Sequence, residues 1–166
     1  MVQSRKIVCQ KLSTNFRECT TIVTHEIPAL KKGEVLVKTK YVGINASDIN
    51  YTNGAYLPGV QPPFDCGFEA GTYFGVVLEI GPGVTKLKVG DAVVSTLTPS
   101  PPALPAVERL LVKVPAAVPE ILPITVCGLT ASMALEYVGQ MTHGETVLIT
   151  AAAGATGQFA VQLAKL

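Results

Sequence analysis

The chain has 166 residues, 48% of them hydrophobic, enough for a buried core in one domain or in a domain and part of another. Its 13 basic and 12 acidic residues leave a net charge of +1, and with no tryptophan and no basic stripe nothing favours nucleic acid as a partner. The N-terminal MVQSRKIVCQ lacks the apolar run of a secretory signal. The longest uncharged run, Thr146–Ala164, is interrupted by two glycines, three threonines and two glutamines, which argues against a membrane partner.

The first two thirds read as short strands separated by turns. EVLVKTK (Glu34–Lys40) alternates around Val35, Val37 and Thr39, the pattern of a half-buried strand entered from the Lys32-Gly33 turn. GVVLEI (Gly75–Ile80) is a second strand, closed by Gly81-Pro82-Gly83. KVGDAVV (Lys88–Val94) reads as a turn feeding a buried strand, and RLLVKV (Arg109–Val114) as a further strand stopped by Pro115. Many short strands with Gly and Pro between them predict a small barrel or sandwich. After Pro119 the pattern changes. ITVCGLTASMALEYV (Ile124–Val138) carries no charge before Glu136 and reads as a buried helix. TVLIT (Thr146–Thr150) is an apolar strand of parallel-sheet type. From Gln158 the polar residues Gln158, Gln162 and Lys165 fall at helical spacing, opposite Phe159, Ala160, Leu163 and Ala164.

The four cysteines, Cys9, Cys19, Cys66 and Cys127, make no closely spaced pair, and only His25 and His143 are available to join them. A structural zinc site shows paired ligands. Scattered cysteines of this kind are expected to be reduced core residues.

AAAGATG (Ala151–Gly157), set between an apolar strand and an amphipathic helix, is the most informative motif. Gly154 and Gly157 let the backbone turn tightly and approach a ligand. The unbonded N–H groups and the dipole at the helix start favour a pyrophosphate there. An ordinary strand-to-helix connection without a ligand is the competing reading.

A β-rich unit, a linking helix and the start of a dinucleotide fold, in that order, resemble the N-terminal half of a medium-chain dehydrogenase/reductase. The pieces that carry the resemblance are KKGEVLVKTKYVGINASDINYTNGAY (31–56), PPFDCGFEA (62–70), GVVLEIGPGVTKLKVGDAVV (75–94), CGLTASMAL (127–135) and GETVLITAAAGATGQFAVQLAK (144–165). GINASDINY and AAAGATGQFAVQL are most similar to the zinc-free quinone-oxidoreductase-like branch, and within it to the prostaglandin reductase 3 group. The implied fold is a GroES-like β-barrel domain over residues 1–120, then a linking helix and the first strand, turn and helix of a Rossmann domain over 121–166.

The resemblance also implies a chemistry. Zinc-dependent members carry a cysteine where this chain has Asn45 and a histidine where it has Phe68, and neither Asn nor Phe is a good zinc ligand. No metal is expected. The zinc-free branch reduces a quinone, or a carbon–carbon double bond conjugated to a ketone as in a 15-keto-prostaglandin, at the expense of NADPH. The protein's part is orientation and a polarising donor at the substrate oxygen. Carried over by position, Asn45 lies near the nicotinamide and the substrate oxygen, its amide free to donate; a loop-capping role before Ser47 and Asp48 is equally open. Asp48 reads as a helix-start residue. Tyr51 and Tyr56 are candidates to line the substrate cleft. Thr130 matches a position at the nicotinamide side of the cofactor, and Ala153, Gly154, Ala155, Thr156 and Gly157 match the pyrophosphate loop.

Three departures qualify these expectations. GFEAGTYFGVV holds about three extra residues around Gly71–Phe74, beside the active-site floor of the family pattern. PSPPALPAVE (99–108) stands where relatives have a regular strand, and its four prolines cannot donate to a ladder, so a barrel strand is expected to be lost or displaced. Thr146–Leu166 supplies one strand and one helix of a domain that needs about six strands, and the residue choosing between NAD and NADP falls about 20 residues past the glycines. The chain therefore reads as a fragment, and its open edges predict a homodimer. A catalytically silent GroES-like module acting by association is the alternative function. Cytoplasm is the expected location, with the peroxisome as the alternative because Ala164-Lys165-Leu166 resembles the S-K-L address.

Overall fold

A computed structural model describes residues 3–66, 73–95, 103–116 and 118–166. The chain forms two compact units, Met1–Pro119 and Glu120–Leu166.

Unit 1 holds two antiparallel sheets. Strands β1 (Gln3–Cys9), β2 (Thr20–Glu26) and β4 (Phe64–Cys66) form the smaller, in the order β2-β1-β4, with a single helical turn α1 (Phe16–Cys19) leading into β2. Strands β3 (Glu34–Val42), β5 (Tyr73–Ile80), β6 (Ala92–Ser95), β7 (Ala103–Val107) and β8 (Leu111–Lys113) form the larger, in the order β7-β3-β5-β6-β8. The helix α2 (Ser47–Thr52) follows β3. These strands exist because their alternating apolar residues meet on one side. Val35, Val37, Tyr73, Val77, Leu87, Val93, Ala106 and Leu111 make one buried cluster.

The β3–β5 pair, the centre of the larger sheet, is irregular twice. Its register shifts between Leu36 and Val37 and between Thr39 and Tyr41, so Leu78 on β5 and Lys40 on β3 each stand as an extra residue. Beside these bulges the two backbones come very close. An ideal Cβ at Gly75 would lie 2.5 Å from Val37 Cγ1 and 2.6 Å from the Lys38 carbonyl oxygen, so only glycine fits. Of the extra run around Gly71–Phe74, Gly71 and Thr72 lie outside the described residues. Tyr73 and Phe74 open β5, pair with Val42 and Tyr41, and are fully buried.

The proline-rich stretch corrects the expectation of a lost strand. Ala103–Val107 forms β7 and pairs antiparallel with β3, with Pro105 opposite Leu36. β7 is an edge strand with one neighbour, so the N–H that proline lacks is not needed by a second partner.

Two carboxylates pin the turns of this sheet. Glu108 Oε1 accepts backbone N–H bonds from Thr85, Lys86 and Leu87 at 3.1, 2.5 and 3.1 Å. The Lys86 N–H, ahead of those of Thr85 and Leu87, holds its pKa below the ordinary glutamate value. Asp91 accepts the Lys88 N–H at 3.0 Å and pairs with Lys113 Nζ at 2.8 Å, and the Lys113 bond first of all keeps its pKa low.

Unit 2 is helical. A continuous helix runs from Pro119 to Val138, built of a 3₁₀ turn, two wide π-type turns and the α-helical segment α3 (Leu129–Met133) between them. By length and composition it could cross a membrane, with a mean hydropathy of 1.5. In this fold it is the packing partner of α4 (Ala155–Leu163): an ideal Cβ on Gly128 would lie 3.4 Å from the Phe159 ring. The expectation that this helix is buried needs correction. Leu122, Cys127, Gly128 and Ala131 are buried, but Ile124, Leu129, Met133, Tyr137 and Val138 are exposed. Among the described residues of this unit α4 is the main element packed on it, and one neighbour covers one stripe.

Thr146–Thr150 is also corrected. It forms no strand, and Leu148 is 91% exposed. A strand is defined by its ladder, and no described residue pairs with this segment, so its apolar sequence has nothing to bury against.

Candidate functional site

The Asn45 loop is built at the end of β3, where the chain turns into α2. Asp48 has its side chain 3% exposed, and its Oδ2 accepts the backbone N–H of Asn45 at 2.8 Å. The Asn45 carbonyl accepts the Asp48 N–H at 3.1 Å. Asp48, in the first turn of α2, thus ties the loop back to the helix start, whose N-cap position, Ala46, makes no side-chain bond. The Asn45 side chain has no hydrogen-bond partner among the described residues, which leaves its amide available.

Asn45 lies in the wall of a cleft of about 670 Å³ on unit 1. Five apolar side chains, Ile7, Phe16, Ile22, Ile44 and Ile49, make most of the lining, and Asn45, Thr20, Asp48 and Arg17 supply its polar groups. A largely apolar cleft with a few donors is what a small organic substrate needs. Among the described residues the lining offers one carboxylate, Asp48, and neither thiolate nor imidazole, a set poorly suited to zinc. Phe68, with Gly67 and Glu69, lies outside the described residues.

Tyr51 and Tyr56 come together, their rings 5.3 Å apart and near-perpendicular at 88°. Tyr51 is half-buried and Tyr56 is 52% exposed. Neither ring lines the Asn45 cleft, so the structure joins the two tyrosines to each other and not to the asparagine.

In unit 2 the glycine turn has the geometry its sequence suggests. Gly154 is extended (φ −73°, ψ 163°) and caps α4 without a side-chain bond. The first backbone bonds of the turn and helix are Gly154 N–H to Ala151 O and Gln158 N–H to Gly154 O, both 2.9 Å. The N–H groups of Ala155, Thr156 and Gly157 fall between them, unbonded as first-turn donors are. At Gly157 an added Cβ would collide with the Ala151 carbonyl oxygen and sit 2.8 Å from Ala152 Cα. The turn closes only on glycine. It is also held under strain, because Ala151 adopts φ +50°, a conformation costly for any residue with a side chain. Ala153 is exposed at the crest of the turn, and Thr130 is exposed on α3. Unbonded first-turn N–H groups of this kind are the donors that could hold an anion.

Reasoning from sequence alone missed β1 and α1 as part of the site. Ile7 reaches the cleft from β1, beside Ile22 of β2 in the small sheet, and Phe16 and Arg17 reach it from the turn α1 that leads into β2, which no local pattern reveals.

Comparison with known proteins agrees with this architecture. The alcohol dehydrogenase GroES-like domain matches residues 31–161. A probable quinone oxidoreductase of Leishmania amazonensis is 46% identical over 97% of this chain and 47% of its own length. Prostaglandin reductase-3 of Mus musculus is 40% identical over 98% of this chain and 43% of its own length. Among solved structures, the Escherichia coli quinone oxidoreductase complexed with NADPH has a TM-score of 0.82 at 27% identity, covering 98% of this chain and 49% of that one. The Pseudomonas syringae pv. Tomato DC3000 quinone oxidoreductase has a TM-score of 0.81 at 30% identity, covering 98% of this chain and 50% of that one. The chain thus spans about half the length of the relatives it matches. It belongs to the alcohol dehydrogenase GroES-like family, in its medium-chain, quinone-oxidoreductase-like branch.

Proposed function

We propose that this member of the alcohol dehydrogenase GroES-like family carries the substrate-orienting half of a zinc-free reductase that uses NADPH to reduce a quinone or an enone of the 15-keto-prostaglandin type. The observation that carries the reading is the Asn45 side-chain amide, which no described residue bonds, set in a mostly apolar cleft while Asp48 holds the Asn45 backbone N–H. NADPH, when bound, supplies the hydride. The chain's own part is to hold and polarise. The N–H groups of Ala155, Thr156 and Gly157, with Ala153 and Gly154 shaping the turn, would hold the pyrophosphate, and Thr130 would lie toward the nicotinamide end. Asn45 donates a hydrogen bond to the substrate's carbonyl oxygen and so withdraws electrons from the conjugated carbon that accepts hydride. The apolar residues exclude water and seat the hydrocarbon part of the substrate.

Two measurements test this reading. NADPH emission should shift on titration with the protein, and the protein should oxidise NADPH when a quinone or enone is added. Asn45→Ala should lower kcat about 100-fold while changing the affinity for NADPH far less. An unchanged NADPH emission, with a normally folded protein by circular dichroism, rejects the reading and favours the silent association module. The exposed apolar residues of unit 2, Leu148 and Val138 foremost, support a homodimer as the working state, to be read by light scattering.

A further inference from the structure

Three of the four cysteines meet in unit 1. Cys9 ends β1, Cys19 ends α1 and Cys66 ends β4. The register of the small sheet sets Cys9 opposite Thr20, the residue after Cys19, and Cys66 opposite Ile7, two residues before Cys9. The Gln10 N–H donates to the Cys19 carbonyl at 2.7 Å, so the backbones of Cys9 and Cys19 lie side by side. Cys9 and Cys19 are fully buried and Cys66 nearly so, in one cluster closed by Ile7 and Phe64. The Cys9 thiol donates to the Lys11 carbonyl at 3.1 Å and that of Cys19 to the Phe16 carbonyl at 3.4 Å.

This arrangement matches no metal site: the cluster's other members are hydrocarbon, and among the described residues no three His, Cys, Asp or Glu side chains are placed to hold a metal. Adjacent thiols have a different chemistry open to them. We infer that Cys9 and Cys19 form a reversible disulfide when the protein meets a peroxide, with Cys66 as a bystander. One thiolate attacks the O–O bond of hydrogen peroxide, becomes a sulfenic acid and releases hydroxide, which takes up a proton to leave as water. The second sulfur then attacks the sulfenic sulfur, the S–S bond forms, and the second oxygen leaves as water. Two thiols lose two electrons and two protons; the peroxide gains both. Two equivalents of an external thiol return the pair to its reduced state: the first forms a mixed disulfide with one cysteine, and the second releases that cysteine and leaves as the thiol's own disulfide.

The choice of pair follows from position. Cys9 and Cys19 lie on neighbouring backbones joined by the Gln10 N–H, while Cys66 stands across from Ile7; burial raises the Cys9 thiol and pushes that of Cys66 further, up to about 12. Access comes through α1, a turn of four residues whose N-cap, Asn15, makes no side-chain cap bond. The link has a consequence for the cleft. It closes the segment Gln10–Glu18, which carries Phe16 and Arg17 into the cleft wall, and so ties that wall to β1.

The full chain is treated with hydrogen peroxide, its remaining thiols are capped with N-ethylmaleimide in denaturant, and a tryptic digest is read by mass spectrometry. The expected result is the loss of two of the four thiols and one cross-linked pair, Ile7–Lys11 joined to Glu18–Lys31, which dithiothreitol separates. Cys66→Ala should keep the link and Cys19→Ala should abolish it. Four free thiols after a dose that oxidises the unfolded chain, a link through Cys66 or Cys127, or sulfonic acid without a link each overturns the inference. If Cys19→Ala fails to fold, the wild-type digest alone decides.

Discussion

The two units use their apolar residues in opposite ways. Unit 1 closes valines, Tyr73 and Phe74 into a core with fully buried members from both β3 and β5. Unit 2 leaves Leu129, Met133, Tyr137, Val138 and Leu148 exposed around a helix with one main neighbour. Composition does not make this difference, since both halves are rich in apolar residues. Partner elements do. A strand with neighbours on each side buries its alternating face, whereas an apolar segment without a ladder or a second layer stays in water whatever its hydropathy.

The largest test of that contrast is Gly75→Ala. The new methyl group would press on Val37 and the Lys38 carbonyl at the centre of the larger sheet, where neither can give way cheaply. The expected cost is about 3 kcal/mol, the upper end for overpacking, seen as a lower urea midpoint for unit 1 by circular dichroism. A cost below about 0.5 kcal/mol would show that the bulged β3–β5 pair is loose, and the contrast between the units would weaken.

Gly157→Ala makes the matching test in unit 2. The collision with Ala151 and Ala152 cannot be relieved without opening the turn. The expected outcome is at least a tenfold loss of NADPH affinity, about 1.4 kcal/mol, with the urea midpoint of unit 1 unchanged. An unaltered affinity would mean that the turn holds no pyrophosphate.

How much of this was legible beforehand follows the same division. EVLVKTK and GVVLEI announced β3 and β5, because a half-buried strand writes its two faces into alternate residues. β1 and β2 were less plain, since QSRKIVC and TTIVTHE carry polar residues on both faces. The proline-rich β7 was misread, because tolerance of Pro105 depends on an edge position that only the assembled sheet defines. TVLIT was misread for the converse reason: it has a strand's composition and no ladder. Asn45 and the glycine turn could be named from local sequence, but Ile7 reaches the Asn45 cleft through β1 and Phe16 and Arg17 through α1, elements far from Asn45 in the chain.

Acid gives the mildest test, and its sign follows from the two carboxylates that pin unit 1. Glu108 and Asp91 both have folded pKa values below their ordinary ones, Glu108 chiefly through the Lys86 N–H and Asp91 chiefly through Lys113. Such a group favours the folded state fully above its unfolded pKa, and that contribution disappears as pH falls through the lower, folded value. Unit 1 should therefore hold its stability from neutrality down to about pH 4 and lose it progressively below. Hydrogen exchange should rise first at Thr85–Lys88, whose backbone N–H groups these carboxylates bind. Glu108→Gln keeps an oxygen acceptor for the three N–H groups but cannot be neutralised by a proton. It should flatten the acid slope while costing little at neutral pH. An acid slope identical to that of the wild type would place the acid-sensitive lock of the barrel at Asp91 alone, where Lys113 and the Lys88 N–H converge on one carboxylate.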